Sequence, residues 1–435
     1  MKKLVAFLMC FCVLALTMTS CDMGVLNNEE TAPSTTWPTV NNGSPTVGNV
    51  DSTKEEAAST NQTNGTSEQS SSGVSNISDE VKAALKEELL AELRGEIGNS
   101  EISAADLGYV IVTDHIDPNS YGDVSDELQR IINENPNKII YFPEGTYLIS
   151  KPILTSAVPN KSVSLLLSNY AVIKATSDWT GGSEAMIRLG GAEACNDVHS
   201  NGANYYLKGG TIDGSGVANG VSIDSGRLTT VSDVAIKRTN VGLHVKKGAN
   251  NGSADISVKD ITIIGADPKS SIGMVVDAHD NIFSDIFMQG VLVGVRVNTV
   301  GNFFRNIHTV GTSGNYENSI GFDDHGNANV YDTCYSDQYA VGFMMSRSST
   351  YTNCICYWYR GDVDSMVGFK STGEFNSVLT NCRVIFNTNG TGNTSYEFIQ
   401  VATPGGSGCI YAPIFNESLD TVKTYLTYLK GDVIR

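Results

Sequence analysis

The chain has 435 residues, with 47 acids against 29 lysines and arginines, a net charge of −18 and 40% apolar residues. So acidic a balance argues against nucleic-acid binding, which needs a basic footprint, yet leaves room for anionic sugars at a local basic patch. None of the nine cysteines has the spacing of a zinc site, and neither a metal nor a cofactor is expected.

Residues 1–20 read as a lipoprotein signal peptide. Lys2 and Lys3 form a positive start, and Leu4 to Leu16 form an apolar run too short to span a membrane. Met18-Thr19-Ser20-Cys21 resembles a bacterial lipobox, with Met18 where Leu is usual. It implies cleavage before Cys21 and lipid attachment to that thiol. Each buried methylene contributes about 0.8 kcal/mol, so more than one acyl chain makes a stable anchor. The expected location is the bacterial cell envelope, lipid-anchored and facing outside the cytoplasm.

Residues 21–76 are rich in Ser, Thr, Asn and Gly and predict a disordered tether. Over 77–98 the spacing predicts one amphipathic helix. Ile77, Val81, Leu85, Leu89, Leu93 and Ile97 recur at every fourth residue behind the start signal Ser78-Asp79-Glu80. It either packs on the folded domain or stands as a stalk. A trimer stem, and with it a homotrimer, stays open.

Residues 107–435 form the folded domain. A short helix carrying Leu128, Ile131 and Ile132 on one face comes first, then strands over Ile139–Phe142 and 146–149 about the Pro143-Glu144-Gly145 turn. From there a repeat takes over. Glycines stand at 220, 242, 273, 294, 321, 342 and 368, each inside a short apolar strand, and an Asx residue opens a second strand at 233, 260, 285, 306, 332, 353 and 381. A unit this short cannot bury its own apolar face, so neighbours must stack into one continuous core. Strands of about five residues without crossover helices fit a parallel β-helix.

The helix followed by Tyr141-Phe-Pro-Glu-Gly-Thr-Tyr-Leu-Ile-Ser150 is similar to the opening of the pectate-lyase-like superfamily. Gly210-Thr-Ile-Asp-Gly-Ser-Gly216 resembles a segment of glycoside hydrolase family 28 relatives. The resemblance covers about residues 114–401. It implies an all-β, right-handed single-stranded parallel β-helix (pectin-lyase-like) with an N-terminal capping helix, and a carbohydrate ligand. It does not carry the family 28 catalytic motifs: Asp323-Asp324-His325-Gly326 is contiguous on one strand and the other motifs have no counterpart.

Alternation then decides orientation. Positions one before, one after and three after the glycine are apolar and predict the core. Positions two and four after must face out, and they hold His244/Lys246, Val275/Asp277, Arg296/Asn298 and Asp323/His325. Asp277 and Asp323, about 9.6 Å apart by strand spacing, suit the acid and base of an inverting glycosidase. Arg296 between them would bind a uronate, and His325 would shuttle a proton. His244, Lys246 and Asp324 complete the candidate substrate-binding set. Asp324 falls in an otherwise apolar column, so it is either turned out by a bulge or buried.

A second outward column, two after the Asx, contains Phe287, His308, Cys334 and Ile355, and reads as covered by a loop or a second subunit. Phe283, Phe304 and Tyr351 predict an interior stack, and Asn281 and Asn302 a structural ladder in a turn. Cys354 and Cys382 predict a buried thiol column, with one disulfide left open. Trp179, Tyr316 and Tyr357-Trp358-Tyr359-Arg360 are candidate sugar platforms. The expected function is degradation of a polysaccharide or oligosaccharide, as a glycoside hydrolase ahead of a lyase. The alternative is a non-catalytic, tailspike-like glycan-binding or structural protein.

Overall fold

The repeat glycines stand where no side chain fits. In a computed structural model of the chain, a Cβ on Gly242 would overlap Ile263 and the carbonyl of Gly273, and one on Gly294 would overlap Thr309 and the carbonyl of Gly321. The same holds along the column, against Ile236, Met288, Ser336, Cys356 and Val384. Each glycine thus lets one wall of the coil close on the next.

The structure describes residues 84, 86–88, 105–155, 162–190, 205–248, 253–312, 317–345, 348–359, 365–374, 376–386, 395–403 and 409–411. The chain divides into two units, Met1–Leu85 and Lys86–Arg435. The coiled domain lies in the second. Of the helix expected over 77–98, Ala84 and 86–88 are described, and they are helical and exposed. The signal segment, Cys21 and the tether lie outside the described residues.

Among the described residues the strands form two all-parallel sheets, one of ten strands and one of nineteen. The ten-stranded sheet holds the glycine strands, such as Val241–Val245, Ile272–Val276, Val293–Val297 and Ile320–Asp324. Each pairs in register with the next coil, so a residue type repeats as a column along the domain. The nineteen-stranded sheet supplies the other two walls. They join where Ser257–Gly265, Ile282–Gln289 and Phe303–Val310 bend, at Asp260, Asp285 and Asn306 with φ of 54°, 57° and 50°. Asx tolerates this left-handed conformation better than most residues, which is why Asx recurs there. The architecture is a right-handed parallel β-helix.

One column is shifted by a residue from the sequence reading. The left-handed corner of its coil is Thr333, φ 55°, and Asp332 precedes it. Cys334 therefore faces inward, fully buried, in register with Cys354, and Tyr335 takes the outward place beside His308. Four of the described cysteines, Cys334, Cys354, Cys356 and Cys382, are buried free thiols. Burial pushes the Cys356 thiol well up, which leaves it inert.

The glycine strands depart from alternation in a second way. Backbone pairing skips the glycine in each coil. Glycine and the residue after it both face in, so Val241, Ile272 and Ile320, expected in the core, are only half-buried.

The interior is filled by stacked rings. Phe283, Phe304, Tyr331 and Tyr351 stack at centroid spacings of 5.0, 4.8 and 4.8 Å, and Phe322, Phe343 and Phe369 at 4.5 and 5.0 Å. These are strand-to-strand distances, so parallel register sets the stacking. The asparagine ladder runs through Asn281, Asn302 and Asn329, where Asn302 Oδ1 accepts from the Asn281 amide (3.1 Å) and Asn329 Oδ1 from the Asn302 amide (2.9 Å).

The amphipathic helix Ser125–Glu134 caps the first coil and buries Leu128, Ile131 and Ile132. Its Gln129 closes the open edge of the ten-stranded sheet. The side-chain amide donates to the Leu154 carbonyl and accepts from the Leu154 amide, both at 2.8 Å. An edge that would otherwise recruit another chain is thereby satisfied.

Candidate functional site

The outward face of the ten-stranded sheet carries two columns of polar groups. In the first, Ser222, His244, Val275, Arg296 and Asp323 occupy consecutive paired positions. The second, two residues later on each strand, holds Asp224, Lys246, Asp277, Asn298 and His325. Side chains from neighbouring coils meet because parallel strands repeat about every 4.8 Å.

His244 and Asp277 form one pair: His244 Nε2 lies 2.7 Å from Asp277 Oδ2, and Asn298 Nδ2 donates to Asp277 Oδ1 at 2.7 Å. These bonds favour the ionised form. The His244 hydrogen bond above all, with Asn298 adding to it, holds the Asp277 carboxyl below its ordinary 3.8 against the opposing effect of burial. Asp277 stays ionised, which suits a base and not a proton donor.

Asp323 forms the second group. Arg296 Nε donates to its Oδ2 at 2.9 Å, and His325 Nε2 lies 2.8 Å from its Oδ1. With both oxygens occupied and the side chain only 4% exposed, Asp323 is closed to a substrate, contrary to the acid-and-base pair expected from spacing. His325 is 51% exposed. With Nε2 committed to Asp323, Nδ1 is the nitrogen left to meet a ligand.

Asp324 is the clearer correction. It faces inward and is 1% exposed, so it cannot touch a ligand on the outer face. Its Oδ1 accepts from the Gly326 amide (2.9 Å) and Asn329 (3.0 Å), and its Oδ2 from Ser349 (2.7 Å) and Tyr351 (3.2 Å). No bulge turns it out. The polar interior receives it, and burial together with its charge pushes the Tyr351 hydroxyl well up.

Lys246 belongs to a different group, in which the outward Ser222 and Asp224 are joined by Arg188, the member the sequence reading missed. Arg188 Nε donates to Asp224 Oδ2 at 2.8 Å, Ser222 Oγ to Asp224 Oδ1 at 2.6 Å, and Lys246 Nζ lies 2.9 Å from that same oxygen. Glu184 holds the far side of Arg188 at 2.6 Å. Arg188 and Asp224 are 8% and 7% exposed, so this is a nearly buried charge cluster closing one end of the face. Arg188 escaped notice because Met186 stands where later coils have glycine. The signal was a lone Arg between Ile187 and Leu189 in an alternating strand.

The other candidates fall elsewhere. Asp213, in the motif that carried the resemblance, accepts from the Ser215 amide (3.0 Å) and pairs with Arg238, a structural turn. Trp358 is core, its Nε1 donating to the Tyr339 carbonyl at 2.7 Å. Trp179 packs against the core, while Tyr316 and Arg360 lie outside the described residues. His308 stacks on Tyr335 at 4.3 Å and meets the edge of Phe287, so this column is partly covered by its own rings.

Residues 111–323 match the family described as rhamnogalacturonase A/epimerase, pectate lyase-like. No curated protein matches the chain by sequence. Among solved structures, the ORF18 protein of Geobacillus virus E2 is similar at 17% identity and a TM-score of 0.45, over 74% of this chain and 66% of that one. The endo-xylogalacturonan hydrolase of Aspergillus tubingensis is similar at 13% identity and a TM-score of 0.47, over 71% of this chain and 99% of that one. The A-module of a mannuronan C-5 epimerase from Azotobacter vinelandii is similar at 12% identity and a TM-score of 0.39, over 71% and 99%. The stacked parallel coils and the match over residues 111–323 place this domain in the pectate-lyase-like superfamily of right-handed parallel β-helix proteins.

Proposed function

We propose that the protein hydrolyses a polysaccharide laid along the outward face of the ten-stranded sheet. The observation that carries this reading is the pairing of two imidazole–carboxylate groups, His244–Asp277 and His325–Asp323, on one exposed face. Asp277 and His325 share a column, two strands apart, so roughly 9.6 Å separates them with Asn298 between. A water bound there loses a proton to Asp277 Oδ1 or Oδ2 as it attacks the anomeric carbon. Protonated His325 gives its Nδ1 proton to the leaving glycosidic oxygen. Asp323, anchored by Arg296, holds the imidazolium in place. Separation of this size leaves space for the water, the requirement of an inverting hydrolysis.

The family description, with its rhamnogalacturonase, supports a carbohydrate chain as the ligand. A second reading, glycan binding without turnover, is favoured by the same ion pairs, since opposite charges on neighbouring strands also stabilise an idle surface. In either reading the protein is carried on the bacterial envelope by lipid on Cys21, and a homotrimer remains compatible with it. A screen of plant, host and bacterial polysaccharides for new reducing ends separates the two. Cleavage that is lost in His325→Gln supports hydrolysis, whereas binding without cleavage overturns it.

A further inference from the structure

The wall that follows the Asx corner presents a second outward face. Thr262, Phe287, His308, Tyr335, Ile355 and Arg383 stand on it in unbroken register from coil to coil. Val310, Asp337 and Tyr357 lie beside them, two residues further along their strands. The chain carries a net charge of −18, yet Asp337 is the one acid among these positions and Arg383 balances it. Phe287, Val310, Tyr335, Ile355 and Tyr357 are half-buried, and the exposed ring of Tyr359 prolongs the strip. A long apolar strip on a solvated sheet face marks an interaction surface.

We propose that this face is the contact between two copies of the chain, related by a two-fold axis that runs along the strands. The register makes the column complementary to its own reverse. A two-fold between His308 and Tyr335 sets Phe287 against the partner's Ile355, and His308 against the partner's Tyr335. Charges match as well. The strand of Asp337 faces the strand of the partner's His308, and Arg383 falls opposite the partner's Thr262, two residues from the partner's Asp260 at an exposed corner. A two-fold along the coil axis would instead set Arg383 against the partner's Arg383, so like charges select the antiparallel order. The ends of the column stand about 24 Å apart by strand spacing, a small contact for a specific interface, so a Kd of about 10 μM is expected. The ten-stranded sheet is a different wall and stays open in both copies. The contact therefore holds whether or not that sheet hydrolyses a polysaccharide.

The test uses the full chain with Cys21→Ser, so that no lipid drives association. Sedimentation equilibrium from about 1 to about 100 μM should show monomer passing into dimer. Phe287→Glu alone, or Ile355→Lys alone, should weaken the dimer at least tenfold, because each places an unmatched charge in the apolar strip. The double variant Phe287→Glu/Ile355→Lys should recover it, since each new acid then meets the partner's new ammonium. Crosslinking decides the matter should a charge variant fail to fold. Phe287→Cys mixed with Ile355→Cys should be joined by a bismaleimide of about 8 Å span, while Phe287→Cys alone, whose two thiols lie about 14 Å apart, stays at the level of the unsubstituted chain. A monomer at the highest concentration, a trimer, or an assembly indifferent to both charges overturns the interface. A double variant no better than the singles, or a mixture that crosslinks no more than either variant alone, does the same.

Discussion

His244 Nε2 meets Asp277 Oδ2 at 2.7 Å across two strands of the ten-stranded sheet, and the residues stand 33 apart in sequence. Only the coil repeat brings them together. The contact holds the Asp277 carboxyl below its ordinary 3.8. A carboxyl with a depressed folded value contributes stability above its unfolded value and loses it as pH falls through the folded one. The difference in melting temperature between wild type and Asp277→Asn should therefore be present at neutral pH and shrink as pH drops below about 4. Thermal melts across that range check it, and the effect is small because a third of the side chain is solvated.

Gly294→Ala should destabilise the domain by about 1–3 kcal/mol, since the new methyl meets both Thr309 and a backbone carbonyl that cannot step aside. Thr309→Ala in the same chain relieves only the side-chain half. Urea unfolding of the single and double variants measures the remainder.

Asp324→Ala should cost about 3 kcal/mol or more, because Ser349, Tyr351 and Asn329 lose a common acceptor inside the coil. Glycan affinity of the protein that still folds should stay unchanged, as Asp324 does not reach the outer face. Denaturant melts and calorimetry read the two effects separately.

How much of the fold and of the site is legible in the sequence depends on the residue. Glycine and Asx spacing reveals the solenoid because each marks a backbone requirement, and the outward places of His244, Lys246, Asp277, Arg296, Asp323 and His325 follow from alternation. Thr333 breaks the pattern. A β-branched residue seldom adopts positive φ, so Asp332 next to it reads as the corner, and Cys334 is put outside. Alternation also hides the glycine itself, which forces two successive residues inward. Partner choice is not readable at all. Which oxygen of Asp323 meets Arg296 and which meets His325 depends on side-chain reach, and that decides whether the acid is free.

Arg188→Met should cost about 3 kcal/mol, because Asp224 would stay nearly buried with Lys246 as its only cation. Lys246→Met should cost less, since Arg188 still covers the carboxylate. Parallel melts of the two variants establish the order.

The most direct measurement is turnover of a polysaccharide that the wild type cleaves, compared between wild type and Asp277→Asn at neutral pH. With Asp277 as the base on this face, kcat falls by about 10² to 10⁴ while the melting temperature moves little. Unchanged kcat in a folded Asp277→Asn protein would contradict the account.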